Sequence, residues 1–480
     1  MVDGRSTAVA PTLGELRRGI HAVSIYSRRM RDQGSEAEAP LVSHVRADTV
    51  SLSEAHGSVA IPYGAGFWRK LFAFAGPGYL VAVGYMDPGN WATDIAGGAR
   101  FGYALLSMVV LSNVMAILLQ TLAARLGVAT GRDLAQACRD RYSHSTAVAL
   151  WVLAEIAIAA TDLAEVIGSA IALNLLFGLP MAIGVVLTSA DVLIVLYLQQ
   201  HRFRYVEGLV VLLIAGIAGC FAIELALTRP DLAAVARGVL PSADLLRNRE
   251  MLYIAVGILG ATVMPHNLYL HSSIVQTRKY GDSEESRGEA IRFATVDTFV
   301  ALMSALFING AILIVAAASF HGTGYEQVAD ISDAYKLLAP LLGTTLASTL
   351  FALGLLFSGQ NATLTGTLAG QIVMEGFLSL RVRPWLRRLG TRLLAIIPAL
   401  IVIAVAGERG SAQLLIFSQV ILSLQLSFAV VPLVSFTSER AKMGEFVNSR
   451  PLRIVAWTMA FVIAVLNAWL LVQTVRGWMA

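Results

Sequence analysis

Asp87-Pro88-Gly89-Asn90 and Met264-Pro265-His266-Asn267 interrupt two long apolar runs near their middles, where a helix is least willing to break. A proline there removes a backbone donor and clashes with the carbonyl four residues earlier. Those carbonyls belong to Gly84, before Pro88, and Ala261, before Pro265. In hydrocarbon, a freed carbonyl costs several kcal/mol unless protein, water or a ligand satisfies it. Two interrupted spans at corresponding positions of two halves are the sequence pattern of a transporter's central site. Outward from these breaks, the chain reads as a cation transporter.

The surrounding composition is that of a membrane protein. Of the 480 residues, 56% are hydrophobic and 14% charged, against roughly 25% charged in a soluble domain. The mean hydropathy is +0.68. About eleven spans of roughly 20 residues are legible. They lie near 71–98, 104–127, 146–176, 180–199, 205–227, 251–277, 293–319, 337–367, 391–406, 410–436 and 452–475. Most of the 36 Lys and Arg residues fall in or beside the N-terminal tail and the connections after even-numbered spans. That bias puts the N-terminus in the cytoplasm and, with an odd number of spans, the C-terminus outside. The net charge of +4 and pI of about 9.1 then describe cytoplasmic loops facing an anionic leaflet, not a nucleic-acid partner. Residues 1–66 are polar, charged and rich in Ala and Ser. They are expected to be a cytoplasmic extension without fixed structure, or with a surface helix around Leu13–Ile25. No signal peptide is expected, since no apolar stretch precedes Arg17-Arg18 or Arg28-Arg29. Cys138 and Cys220 fall in different segments and are expected to pack as small apolar residues.

The breaks fall in spans one and six. Five spans separate equivalent positions, so the broken helices cross in opposite directions. The expected fold is therefore an all-α polytopic bundle with a five-plus-five inverted repeat, as in amino-acid/sodium symporters. Repeat one covers about 71–227, repeat two about 251–436, and one helix is added at about 452–475, all within a transporter domain of 67–480.

Selectivity must be read from the side chains at the breaks. Asp87 is a carboxylate at mid-span, expensive unless it works; it also suits the helix N-cap before Pro88 and Gly89. Asn90, three residues on, either caps or turns its amide oxygen to the same cavity. Met264 offers a soft, neutral thioether, poor for Mg2+ and Ca2+ and acceptable for Mn2+, Fe2+ or Cd2+. The Gly84 and Ala261 carbonyls sit at the negative ends of half-helix dipoles, which favour a cation. Such a mixed set makes a moderately weak site, as transport requires.

With Gly76-Pro77-Gly78, the two break motifs, and Leu268-Tyr269-Leu270-His271-Ser272 after the second, the chain closely resembles the Nramp (natural resistance-associated macrophage protein) family. The resemblance runs from about residue 68 to 475 and takes in Thr161-Asp162-Leu163-Ala164-Glu165 and Ser358-Gly359-Gln360-Asn361. It implies proton-coupled transport of divalent transition metals. It implies further that Asp87, Asn90, Met264 and the Ala261 carbonyl bind the metal, with Gln419 of the tenth span joining in one conformation. Relatives that carry magnesium or aluminium depart at the methionine; this chain does not, which favours Mn2+ or Fe2+.

Protons are the expected driving ion. Asp162 and Glu165 share a helical face of span three, His266 follows the second break, and Arg392 opens span nine. A structural ion-pair network with Arg392 is the alternative, and the two roles are compatible. By resemblance, Asp87 loses its proton when metal binds, and His266, Asp162, Glu165 and Arg392 form the exit route. Asn309 either hydrogen-bonds across the bundle near the site or simply packs between helices, the packing being slightly favoured. Glu155 either extends the relay or snorkels; Asp191 and Glu224 are expected at the interfaces, and His271 carries no assigned role. No enzyme signature such as H-E-x-x-H is present. Metal and proton are cargo, and no resident cofactor or obligate protein partner is expected. A sodium-coupled amino-acid symporter of the same fold is the nearest rival, though Asp87 would repel a substrate carboxylate. An uncoupled metal channel is the other. The setting expected is a bacterial plasma membrane.

Overall fold

The computed structural model describes residues 51–62, 64–188, 203–328, 330–380, 384–406 and 408–479. Residues 1–50, with the surface helix considered there, lie outside the described residues, as do Asp191 and the second half of span four.

The first span is built in pieces. Helix α1 (Phe67–Phe74) ends at Ala75, α2 (Pro77–Ala82) starts anew, a 3-10 turn covers Val83–Met86, and α3 (Pro88–Phe101) completes the crossing. The interruption at Gly76 is an addition to the reading of the sequence. Gly76 has φ 143°, a conformation that favours glycine. Asp297 accepts the amide hydrogens of Gly76 (3.2 Å) and Gly78 (2.7 Å), so a carboxylate from a distant helix caps α2.

The remaining spans follow their hydropathy. They are α4 (Leu106–Thr130), α6 (His144–Phe177), α7 (Met181–Thr188) opening span four, and α8 (Phe203–Thr228). A short helix α5 (Leu134–Arg141) connects α4 to α6. The second half begins with α9 (Arg249–Thr262) and α10 (Pro265–Ile274), the two pieces of span six, followed by α11 (Glu284–Phe320). Span eight differs from expectation. A single helix from 337 is replaced by α12 (Ile331–Leu342) and α13 (Thr345–Leu378). Gly343 at φ 68° ends the first, as left-handed glycines end helices generally. Spans nine to eleven are α14 (Pro384–Ala406), α15 (Glu408–Thr437) and α16 (Arg450–Met479).

The helices form one bundle around the broken spans. Helix α6 packs along α13 and α15, α11 lies against α3 and α4, and α9 sits between α3 and α15. The outer faces carry exposed apolar side chains such as Leu212, Phe299, Phe461 and Val465, which water would not tolerate in such number and a bilayer does. Close helix approach depends on small residues. A Cβ at Gly98 of α3 would lie 2.5 Å from the Leu313 carbonyl oxygen and 3.0 Å from the Ala317 nitrogen of α11. Both are backbone atoms that cannot turn aside. Gly98→Ala is expected to lower stability by about 1–3 kcal/mol, read as a lower melting temperature in detergent.

Candidate metal centre

Asp87 is both cap and ligand candidate. It has extended backbone geometry (φ −68°, ψ 164°) between the 3-10 turn and α3. One oxygen, Oδ1, accepts the Asn90 backbone N–H at 2.9 Å and the Asn90 side-chain amide at 2.7 Å. The other, Oδ2, is buried with no hydrogen-bond partner among the described residues. The capping role therefore uses one carboxylate oxygen and leaves the other, near Gln419, without a hydrogen bond among the described residues.

Because neither Pro88 nor Pro265 has an N–H, the Gly84 and Ala261 carbonyls lose their helical donors. The same side chain serves both. Asn90 Nδ2 donates to Ala261 O at 3.0 Å and to Gly84 O at 3.4 Å. One amide nitrogen thus lies among a carboxylate oxygen and two carbonyl oxygens, with only two hydrogens for three acceptors. Thr262 Oγ1 lies 3.5 Å from Asn90 Oδ1 and holds the amide from behind.

The second break closes on the first. Met264, the N-cap of α10, has φ −78° and ψ 125° and is fully buried. Its Sδ would stand 3.2 Å from a Cβ at Gly84, and the Asn267 amide fills the same space. Only glycine at 84 lets the two breaks meet. Gln419 reaches in from α15: its side-chain amide lies where a Cβ at Gly89 would be, beside the Asp87 carboxylate. Asp87, Asn90, Ala261, Met264 and Gln419 are all between 0% and 2% exposed. Among the described residues no group of three or more His, Cys, Asp or Glu side chains gathers as a metal site.

The other carbonyls of the first break are also satisfied by side chains. Asn309 Nδ2 donates to Tyr85 O at 2.6 Å, Trp91 Nε1 to Met86 O at 3.2 Å, and Ser358 Oγ also to Met86 O. Asn309 makes the cross-bundle bond rather than the slightly favoured simple packing, and its partner is the unwound backbone itself.

Helix α6 passes directly behind the first break, since a Cβ at Gly168 would overlap Pro88. Glu165 and Asp162 lie one and two turns nearer the helix start. Their carboxylates meet over Gly366 of α13, where a Cβ would be 3.2 Å from Glu165 Oε1 and 3.3 Å from Asp162 Oδ1. Arg392 Nη1 is 3.8 Å from Glu165 Oε2, and its Nη2 donates to Thr363 Oγ1 at 2.6 Å. His266 Nδ1 lies 3.5 Å from Thr161 Oγ1 on the same helix. The structure brings together the acids, the arginine and the histidine as two groups flanking one stretch of α6. The ion pair considered as the alternative is present.

Several polar residues were not assigned from the sequence. His271 Nδ1 lies 3.1 Å from Gln120 Oε1, and Gln120 Nε2 donates to Tyr85 Oη at 2.8 Å, so a chain of side chains runs from α10 to the first break. Arg278 is fully buried and donates to Glu207 (2.6 Å), Ala75 O (2.7 Å) and Phe74 O (3.2 Å). It clamps the α1–α2 junction. Glu224, expected at an interface, is instead fully buried, and neither carboxylate oxygen has a hydrogen-bond partner among the described residues. Glu155 accepts from Trp151 Nε1 at 3.2 Å.

The family model described as "Natural resistance-associated macrophage protein-like" matches residues 78–473. The chain belongs to the Nramp family. Among Nramp relatives, a "Divalent metal cation transporter MntH" of Nostoc sp. is 62% identical over 429 residues, covering 89% of this chain and 97% of that one. Another of the same description, from Bradyrhizobium diazoefficiens, is 59% identical over 429 residues, covering 89% and 95%. Of solved structures, an Eremococcus coleocola manganese transporter superposes with a TM-score of 0.83 at 42% identity, covering 87% of this chain and 90% of that one. The nucleobase-cation-symport-1 family transporter Mhp1 shares the fold, with a TM-score of 0.54 at 15% identity over 83% and 91% of the two chains. Like its Nramp relatives, this multi-pass membrane protein is a transporter and not an enzyme.

Proposed function

We infer that this protein imports divalent transition metals, Mn2+ and Fe2+ with Cd2+ as a related cargo, together with protons, by alternating access. One observation carries the reading. The Asn90 amide nitrogen sits at the convergence of Asp87 Oδ1, Gly84 O and Ala261 O, with the Met264 thioether alongside. Three oxygen acceptors gathered around one positive donor form the electrostatic mould of a cation. Turning the amide over would present Asn90 Oδ1 in place of the nitrogen and complete a set of oxygens with one sulfur. The names of the relatives, divalent metal cation and manganese transporters, agree with that chemistry.

Carboxylate and carbonyls alone would welcome Ca2+ or Mg2+; the sulfur supplies the preference for softer ions. Gln419, against Gly89, is placed to add a further oxygen when α15 shifts. With the N-terminus cytoplasmic and the C-terminus outside in a bacterial plasma membrane, α3 and α9 line access from outside. The proton leaves by another path. Asp87 releases it as the dication binds, and His266, Glu165 and Asp162 lie along α6 to carry it toward the tail side, with Arg392 as the gate. Neither a sodium-coupled amino-acid carrier nor a channel has a specific feature in its favour.

Proteoliposome uptake tests the reading: Mn2+ should accumulate and resist competition by excess Ca2+. Asp162→Asn and Glu165→Gln are each expected to reduce lumenal acidification while retaining some metal uptake, as losing one member of an intramembrane proton relay should. Unchanged acidification in both variants would count against the relay.

A further inference from the structure

Residues 51–60 precede the first span and are not needed for the cage, yet they are docked at many points. Ser51, Leu52, Ala55 and Val59 are buried, with Leu52 and Ala55 inside the main apolar core. The Leu52 N–H donates to Glu375 Oε2 of α13 at 2.8 Å, and Gln371 Nε2 of α13 donates to Glu54 Oε1 at 3.2 Å. Gln136 Nε2 of α5 donates to Ser51 Oγ at 3.2 Å, and the Gly57 N–H to Gln276 O at 3.0 Å. Strand β1 (Val59–Ala60) then pairs in parallel with β2 (Arg278–Lys279), the segment that follows span six. Leu52 has φ 53°, a conformation that costs a leucine roughly 1–2 kcal/mol. Such a residue persists where surrounding contacts over-determine it, and here the Glu375 bond and the apolar socket do so.

What the segment holds matters more than that it is held. Its partner β2 contains Arg278, whose guanidinium binds Glu207 and the Phe74 and Ala75 carbonyls at the α1–α2 junction. Residues 61–66 then connect β1 directly to α1, a link of at most about 20 Å when fully extended. The same strand pair therefore fastens the half-span below the first break at its N-terminus and, through Arg278, at its junction. It also ties both to α13 and α5.

We propose that residues 51–60 are a latch, which must leave β2 and its socket before α1–α2 can swing away from the cage toward the tail side. This rests on the alternating-access reading above. Docked, the segment keeps that side shut; undocked, it frees the half-span to open and release cargo.

A reversible lock tests it. In the full-length protein, Glu54→Cys and Gln371→Cys would be bridged with a short cleavable bis-maleimide, the linked peptide being verified by mass spectrometry. Mn2+ uptake should fall by about tenfold or more, as expected when one state of a two-state element is held, and return on cleavage, with Mn2+ binding by calorimetry unchanged. Uptake by the linked protein at the unlinked rate would overturn the latch. If the unlinked double variant and the wild type both fail to take up Mn2+, the transport reading fails instead. Leu52→Asp, which evicts the plug, should transport at least as fast as wild type and show faster hydrogen exchange over 51–60. A monodisperse Leu52→Asp protein with normal Mn2+ binding but no uptake would also overturn the proposal.

Discussion

Asp87→Ala is expected to abolish Mn2+ binding in calorimetry, a loss of at least about a hundredfold, or about 2.8 kcal/mol. Three effects combine. The cage loses the Asp87 carboxylate, so the charge it sets against a dication disappears. The Asn90 amide loses its shortest acceptor, at 2.7 Å, and with it the orientation toward the two freed carbonyls. The α3 N-cap bond to the Asn90 N–H also goes, which costs typically about 1 kcal/mol of local stability. Asp87→Asn separates these contributions, since an asparagine preserves the cap and the shape but not the charge. If charge is the main term, Asp87→Asn should bind nearly as poorly as Asp87→Ala. Near-normal Mn2+ affinity in both would refute the ligand assignment.

Met264→Ala is expected to act on selectivity rather than on affinity alone. A water or the Asn267 amide, which shares the space above Gly84, can take the place of the sulfur for a hard ion at little loss. Mn2+ uptake should then persist, while its preference over Ca2+ falls by about tenfold or more, about 1.4 kcal/mol of discrimination. Competition uptake with Ca2+ and Mg2+ measures this directly. An equal proportional loss for all three ions would remove the selectivity role and leave Met264 as packing, beside Ala157 and Leu422 with which it clusters.

The parts of this site legible in the sequence were those governed by local covalent arithmetic. A proline names the carbonyl it frees, four residues back, so Gly84 and Ala261 could be read without coordinates. Asp87, Asn90 and Met264 lie within three residues of those prolines. What escaped were partnerships across long separations. Arg278 and Glu207 are 71 residues apart, and each, near a span end, looks like an ordinary interface charge. The Asp297 cap on Gly76 and Gly78 spans more than 200 residues. Glu224 was read as interfacial from its place one turn before the end of α8, but burial there depends on neighbouring helices that no local pattern reveals. The turn at Gly343 was hidden because hydropathy runs smoothly across it. The docking of residues 51–60 is hidden in the sequence because Leu52, Ala55, Val59 and Ala60 alone carry its apolar signal, too little to register against a polar tail.

These long-range contacts have a common consequence for function. The cage is made by two breaks, and its shape is held by Asn309 and Ser358 of other helices and by Trp91 on the first break's carbonyls, with Gly84, Gly89 and Gly168 permitting the close approaches. On the tail side, Arg278 and Asp297 both bind the half-span at the α1–α2 junction, and the β1–β2 pair holds it at its N-terminus. On the proposed alternating access, a half-span fastened at such discrete points would move as a unit when they release.

The most direct test of the central claim, a transition-metal cage coupled to a proton path, is Mn2+ uptake into proteoliposomes containing a lumenal pH dye. The account predicts that Mn2+ addition acidifies the lumen in step with metal accumulation, that excess Ca2+ suppresses neither signal, and that Asp87→Ala eliminates both. Accumulation of Mn2+ without acidification, or undiminished uptake by Asp87→Ala, would contradict it.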